Sequence, residues 1–183
     1  MFEQLNVEDK ILLTKHHLMP LVILNGALNY RDDVGQVLEG EQDVPWNMLT
    51  MQEFYGTEVS LQMDKNFQRF LRIARYDRKI MLLALVILIF TSARSIDIAS
   101  PVPSLNDNLA VYRAQSHYAT LLWKYMETVH GFKQTIKTFQ DLVMNFILWR
   151  GMDNHVRTSI QHALSPSDVD GMIPLMKSLL NLV

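Results

Sequence analysis

The chain has 183 residues, 49% of them hydrophobic and 20% charged, with a net charge of −2. That supplies one domain's worth of chain with apolar material for a single sizeable core, and too much for intrinsic disorder. The near-neutral balance argues against a dedicated nucleic-acid surface, and the lack of cysteine excludes disulfides, cysteine-ligated zinc, iron–sulfur clusters and cysteine catalysis.

Leucine, methionine and glutamine outweigh the β-branched residues, and no stretch alternates apolar and polar for long, so the chain reads as predominantly α-helical. The N-terminus, Met-Phe-Glu-Gln-Leu-Asn, has no basic region and does not read as a signal peptide. A first helix is expected over 7–30, with Asn6 as N-cap and Asp9 near the positive helix end. Leu12, Leu13, Leu18, Leu21, Val22, Leu24, Ala27 and Leu28 surround most of its cylinder, as in a helix inside a protein. Pro20 is expected to kink or split it. The polar stretch 31–43, with Gly35 and Gly40, reads as a loop or short hairpin. Helical patterns then run from Leu49 and, with Thr57 or Ser60 as cap, to about Ala74.

An apolar helix is expected over 76–93. Its longest apolar run is Ile80 to Phe90, against the about twenty residues that a spanning helix needs, so it reads as a core helix and no membrane is expected. The stretch 95–106, with Pro101 and Pro103, is a connection. Long helices follow over 107–129, ended by Gly131, and over 133–164. Gly151 costs the latter about 1 kcal/mol relative to alanine and predicts a kink or close helix contact. Ser165-Pro166-Ser167-Asp168 stops that helix, and a last helix is expected over 170–181. Long helices that are apolar on several sides predict a layered all-α domain rather than a simple four-helix bundle.

No catalytic constellation emerges. Gly35 to Gly40 lacks the strand and middle glycine of a dinucleotide fingerprint, and no Gly-x-Ser-x-Gly is present. His155 and His162 share a helix face near Asp153, without the His-Glu-x-x-His spacing of a zinc helix. The chain is not expected to be an enzyme.

Phe2-x-x-Leu5-x-x-x-Asp9-Lys10-x-x-Leu13 resembles the signature of nuclear receptor ligand-binding domains, in which an exposed acidic turn begins a helix that dives through the core. Thr14 stands where a second apolar residue is usual. Trp46 is similar to the tryptophan beside the pocket in the vitamin D and pregnane X receptor group and its invertebrate members. Residues 76–90, 112–125 and 133–164 are similar to the eighth, ninth and fused tenth and eleventh helices. Pro174-Leu175-Met176-Lys177-Ser178-Leu179-Leu180 is similar to the activation helix. The resemblance covers nearly the whole chain. It implies a three-layer helical sandwich lacking its first helices: residues 1–183 run from about the end of the third helix to the activation helix.

The resemblance implies a lipophilic pocket, a dimer face on the tenth helix and a coregulator groove closed by the last helix. The pocket residues carried over are Leu24, Trp46, Met152 and His155, the last suited to bond a sterol hydroxyl or acid. Lys15 matches the lysine that caps a coactivator helix, a contact of about 0.3–1 kcal/mol. With it go Leu175, Met176, Leu179 and Leu180. Ser178 replaces the family's glutamate, which puts strong ligand-dependent activation in doubt. The family's eighth-helix glutamate, which makes a structural salt bridge, is replaced by Arg78 and Lys79, so either Asp77, the only acid there, substitutes or the bridge is lost. Phe139, Leu142, Phe146 and Trp149 are the candidate dimer seam.

The function implied is that of a nuclear, ligand-regulated transcription factor domain. It takes a small sterol- or bile-acid-like ligand, recruits helical coregulator peptides and pairs with a retinoid X receptor-type partner. DNA and zinc would belong to a separate domain, with no cofactor in this chain. The alternative is a ligand-independent dimerisation domain whose pocket is filled by its own side chains. A helical-bundle enzyme is a more distant rival.

Overall fold

A computed structural model describes residues 2–39, 42–45, 48–91, 105–174, 177 and 180. Among the described residues the fold is all-α, with one small antiparallel sheet. After a 3-10 turn (Phe2–Gln4), helix α1 (Val7–Leu28) starts at Asn6, whose side chain accepts the Asp9 amide at 2.7 Å. This is the N-cap expected from sequence. The helix bends by 67° between Val7–His17 and Pro20–Leu28, because proline removes a helix hydrogen bond and its ring displaces the preceding turn.

Strands β1 (Tyr30–Arg31), β2 (Gln36–Glu39) and β3 (Gln42–Pro45) form a meander in the order β1-β2-β3, with Val37 opposite both Tyr30 and Val44. Gly35 (φ 66°) closes its first turn with an amide bond to the Arg31 carbonyl. The stretch expected as a loop or hairpin is thus a three-stranded meander.

Helices α2 (Met48–Tyr55) and α3 (Thr57–Tyr76) meet at Gly56 rather than at a Thr57 or Ser60 cap. Gly56 has φ 78° and caps α3 without a side chain; Ser60 is buried one turn further in. Helix α4 (Arg78–Ile89) is capped by Asp77 and is shorter than the expected 76–93. No single described helix is long and apolar enough to cross a membrane.

Helix α5 (Asn108–His130) has the Asp107 side chain on the Ala110 amide and ends at Gly131. Helix α6 (Phe132–Ala163) runs unbroken through Gly151, which is exposed, with no atom within 4 Å of where a Cβ would stand. The close approach expected there is absent among the described residues. Helix α6 ends at Ala163, at the expected stop, and the run 165–168 also opens a new helix. Ser165 and Asp168 form a reciprocal capping box with Pro166 at the first position, opening α7 (Pro166–Gly171). Beyond α7, Pro174 and Lys177 are again helical, with the Lys177 amide on the Ile173 carbonyl, inside the expected 170–181 span.

Helix α1 packs against α3, α4 and α6, and α5 against α4 and α6. The main core gathers Leu24, Phe67, Phe70, Met81, Met126 and Trp149. A second core joins Leu5 and Leu13 to Phe90, Leu105, Val111 and Ala114. Phe2 packs edge-on against Phe90, with ring centroids 6.1 Å apart, and Phe90 stacks on Tyr118 at 5.7 Å.

Candidate functional site

The motif at the chain start becomes one packed unit. Phe2, Leu5 and Leu13 pack into the second core, and Asp9 sits among them at 1% exposure. Its Oδ1 accepts the Asn106 amide at 2.8 Å and its Oδ2 the Asp107 amide at 3.0 Å. The acidic turn expected to be exposed is therefore split. Glu8 faces solvent, whereas Asp9 clamps the lead-in to α5. A carboxylate suits this place because it accepts on both oxygens.

A second polar chain crosses the same region. Buried His17 places Nε2 2.6 Å from the Thr91 carbonyl. A carbonyl only accepts, so Nε2 carries the proton and the ring is the Nε2–H tautomer. Burial pushes the His17 pKa down to about 4, against the opposing effect of the Thr91 bond, and His16, Arg150 and Arg157 lower it further. Thr91 Oγ1 donates to the Ile87 carbonyl and accepts from Gln115 Nε2, tying α1, α4 and α5 together.

The third cluster lies where α3 passes into α4. Asp77 Oδ1 accepts the Lys79 amide at 2.9 Å, and its Oδ2 accepts Tyr125 Oη at 2.9 Å and His130 Nε2 at 2.8 Å. The other ring nitrogen of His130, Nδ1, lies 2.9 Å from Tyr76 Oη, so the imidazole bridges Asp77 and Tyr76. Burial works against the Asp77 carboxylate, but the hydrogen bonds from His130, Tyr125 and the Lys79 amide prevail and hold its pKa below the usual value. The Asp77 bond raises the Tyr125 pKa. Asp77 thus links α3, α4 and the end of α5, as the one acid of that neighbourhood. Asp77→Asn should destabilise the fold by about 2 kcal/mol in urea unfolding, by exchanging acceptor for donor against His130 or Tyr125. The depressed pKa means that the carboxylate's contribution is full above the ordinary aspartate range and is lost as pH falls through and below it.

The residues carried over from the receptor resemblance separate. Leu24 and Met152 are buried in the main core, but His155, on α6, is exposed and does not share that interior with them. Trp46 lies outside the described residues. Lys15 is half-buried on α1. Of its expected companions, Leu175, Met176 and Leu179 lie outside the described residues, as does Ser178. Leu180 is buried, with its carbonyl taking a bond from Gln161 Nε2 of α6.

The residues expected to form a dimer seam face the interior to different degrees. Leu142 and Trp149 are buried in the core, with Phe139 and Phe146 half-buried against it. The exposed apolar line is instead Phe132 (60%), Ile136, Val143 and Ile147 (59%). At 100° per residue these four fall within an arc of about 60°. The sequence carries two apolar stripes on one helix, and periodicity alone does not say which is covered.

Sequence reasoning missed the His17 and His130 partners altogether. Neither has a local signal, since each bond spans more than fifty residues. Three buried polar atoms, Ser60 Oγ and Asn66 Nδ2 of α3 and Trp149 Nε1 of α6, have no partner among the described residues. No group of three or more histidine or acidic side chains placed to hold a metal occurs among them either. No protein-family model matches the chain, and no curated protein matches it.

Proposed function

We propose that this chain is a transcription-regulating domain of the nuclear receptor ligand-binding type, acting in the nucleus as one half of a dimer paired through α6. The observation that carries the pairing is the outward apolar line of Phe132, Ile136, Val143 and Ile147 on a 32-residue helix whose opposite face is already committed to the core. Contiguous exposed apolar surface of this kind marks an interaction site. The receptor assignment rests on the Phe2–Leu13 signature. It is supported by the order of elements after it: a bent helix, a β-meander, and helices leading to the long α6 and then the short α7. In this reading the partner is a retinoid X receptor-type chain or a second copy, and DNA contact and zinc belong to a separate domain.

Ile136→Glu combined with Ile147→Glu should weaken pairing by about 2 kcal/mol. Sedimentation of the wild-type and variant chains, alone and with a retinoid X receptor ligand-binding domain, measures this. Equal masses for wild type and variant under both conditions would reject the pairing face.

A second reading keeps ligand regulation and coregulator recruitment. The unpartnered polar atoms of Ser60, Asn66 and Trp149 favour it, because buried polar groups are normally bonded. A small lipophilic molecule with a polar end suits that interior between α3 and α6. A native mass spectrum separates the readings: a bound mass of about a drug-sized lipid favours ligand regulation, and the bare chain mass favours dimerisation with a filled core.

A further inference from the structure

Residues 65–79 hold six cations, Lys65, Arg69, Arg72, Arg75, Arg78 and Lys79, against one acid, in a chain whose net charge is −2. The acid, Asp77, is turned to Tyr125 and His130 of α5 and does not neutralise the outer face. Three of the cations serve the fold. Arg75 pairs with Asp32, Arg78 donates to the Leu28 carbonyl at the end of α1, and Lys79 lies 5.8 Å from the Tyr125 ring centroid.

The other three do not. Lys65, Arg69 and Arg72 are exposed, and none has a carboxylate partner among the described residues. On α3 they fall within an arc of about 60°, one cation per helical turn, over about 10 Å of helix axis. Such a row carries mutual repulsion with no internal return, which an anionic partner would relieve.

We propose that this α3 ridge docks an acidic polypeptide segment rich in Asp or Glu. Alternate side chains of an extended strand recur every ~6.7 Å, close to the ~5.4 Å turn spacing of the ridge, and long arginine side chains take up the difference. The guanidinium fork bonds carboxylates bidentately. A nucleic-acid strand is disfavoured by the aromatic complement. Tyr76, the aromatic on this arc, has its ring against His130 with centroids 4.7 Å apart and its hydroxyl on the same imidazole. It therefore offers bases no free stacking platform of the kind that single-strand binding uses.

Fluorescence anisotropy of a labelled decaglutamate peptide against the full chain tests this, with a ten-nucleotide oligothymidylate in parallel. The wild type should bind the peptide, more weakly as salt rises. Arg69→Gln with Arg72→Gln should weaken binding by about tenfold. A charge-matched control, Arg113→Gln with Lys124→Gln on exposed positions of α5, should change it little. Equal losses in the two double variants, no peptide binding by the wild type, or tighter binding of the oligonucleotide than of the peptide would each overturn the proposal. Both variants are read after their melting temperatures match the wild type. If the α3 variant melts early, the single Lys65→Gln variant is compared with Lys124→Gln, and equal affinities there also overturn it.

Discussion

Replacing Asp9 with alanine is expected to destabilise the fold by about 3–4 kcal/mol, the larger of the two strongest effects anticipated here. The side chain is 1% exposed, and its two oxygens take the amides of Asn106 and Asp107. Hydrogen bonds to a charged group contribute roughly 1.5–3 kcal/mol each, and alanine leaves both amides unsatisfied. The damage spreads, because Asp107 caps α5 through its own side chain on the Ala110 amide. Asp9→Asn keeps one acceptor oxygen and should lose about half as much. Urea unfolding followed by circular dichroism gives both values. A cost for Asp9→Ala below about 1 kcal/mol would mean that the clamp is replaced by water at no penalty.

The second large effect is a loss of stability on mild acidification, centred on His17. In the folded chain its pKa is about 4, against 6.5 in the ordinary state. Between these values the unfolded chain binds a proton that the folded chain refuses. Stability therefore rises with pH across that window. The contribution is fully present above about pH 6.5 and is lost as pH falls toward 4, amounting to about 3 kcal/mol at 1.36 kcal/mol per unit. Asp77 adds its own loss only lower, in the carboxylate range. His17→Gln retains an amide donor for the Thr91 carbonyl and does not titrate. Its stability should start lower at neutral pH but stay nearly flat from pH 7 to 5. A wild-type profile equally flat over that range would show that the imidazole is protonated without cost in the folded state.

Much of the local structure was legible in the residues. Asn6 before the first helix, Pro20 within it, and Asp107 and Gly131 around α5 each act over a few residues, so the chain itself displays their meaning. The C-terminal region shows one local signal with two meanings. Ser165-Pro166-Ser167-Asp168 does follow the end of α6 at Ala163, but a serine cap, proline at the first position and an acid three residues after the cap are also start signals, and they open α7. At the meander the breaking residues were visible, but the strand pairing needed tertiary support.

The candidate site was legible only in part, and α6 shows why. Phe139, Leu142, Phe146 and Trp149 form a stripe as regular as Phe132, Ile136, Val143 and Ile147, and either could have been the outer one. The histidines show a second reason. His155 was singled out but is exposed, whereas His17 and His130, which carry the polar links, have nothing distinctive beside them in sequence.

An all-α chain with these caps and breaks follows from signals that act within about one helical turn, where backbone sterics and side-chain hydrogen bonds are local. Which apolar face is covered, and which polar groups meet, depends instead on how helices far apart in sequence come to pack. Asp9 reaches Asn106 across 97 residues and His17 reaches Thr91 across 74. Those contacts, and the desolvation that pushes the His17 pKa down, exist only once the helices have excluded water together.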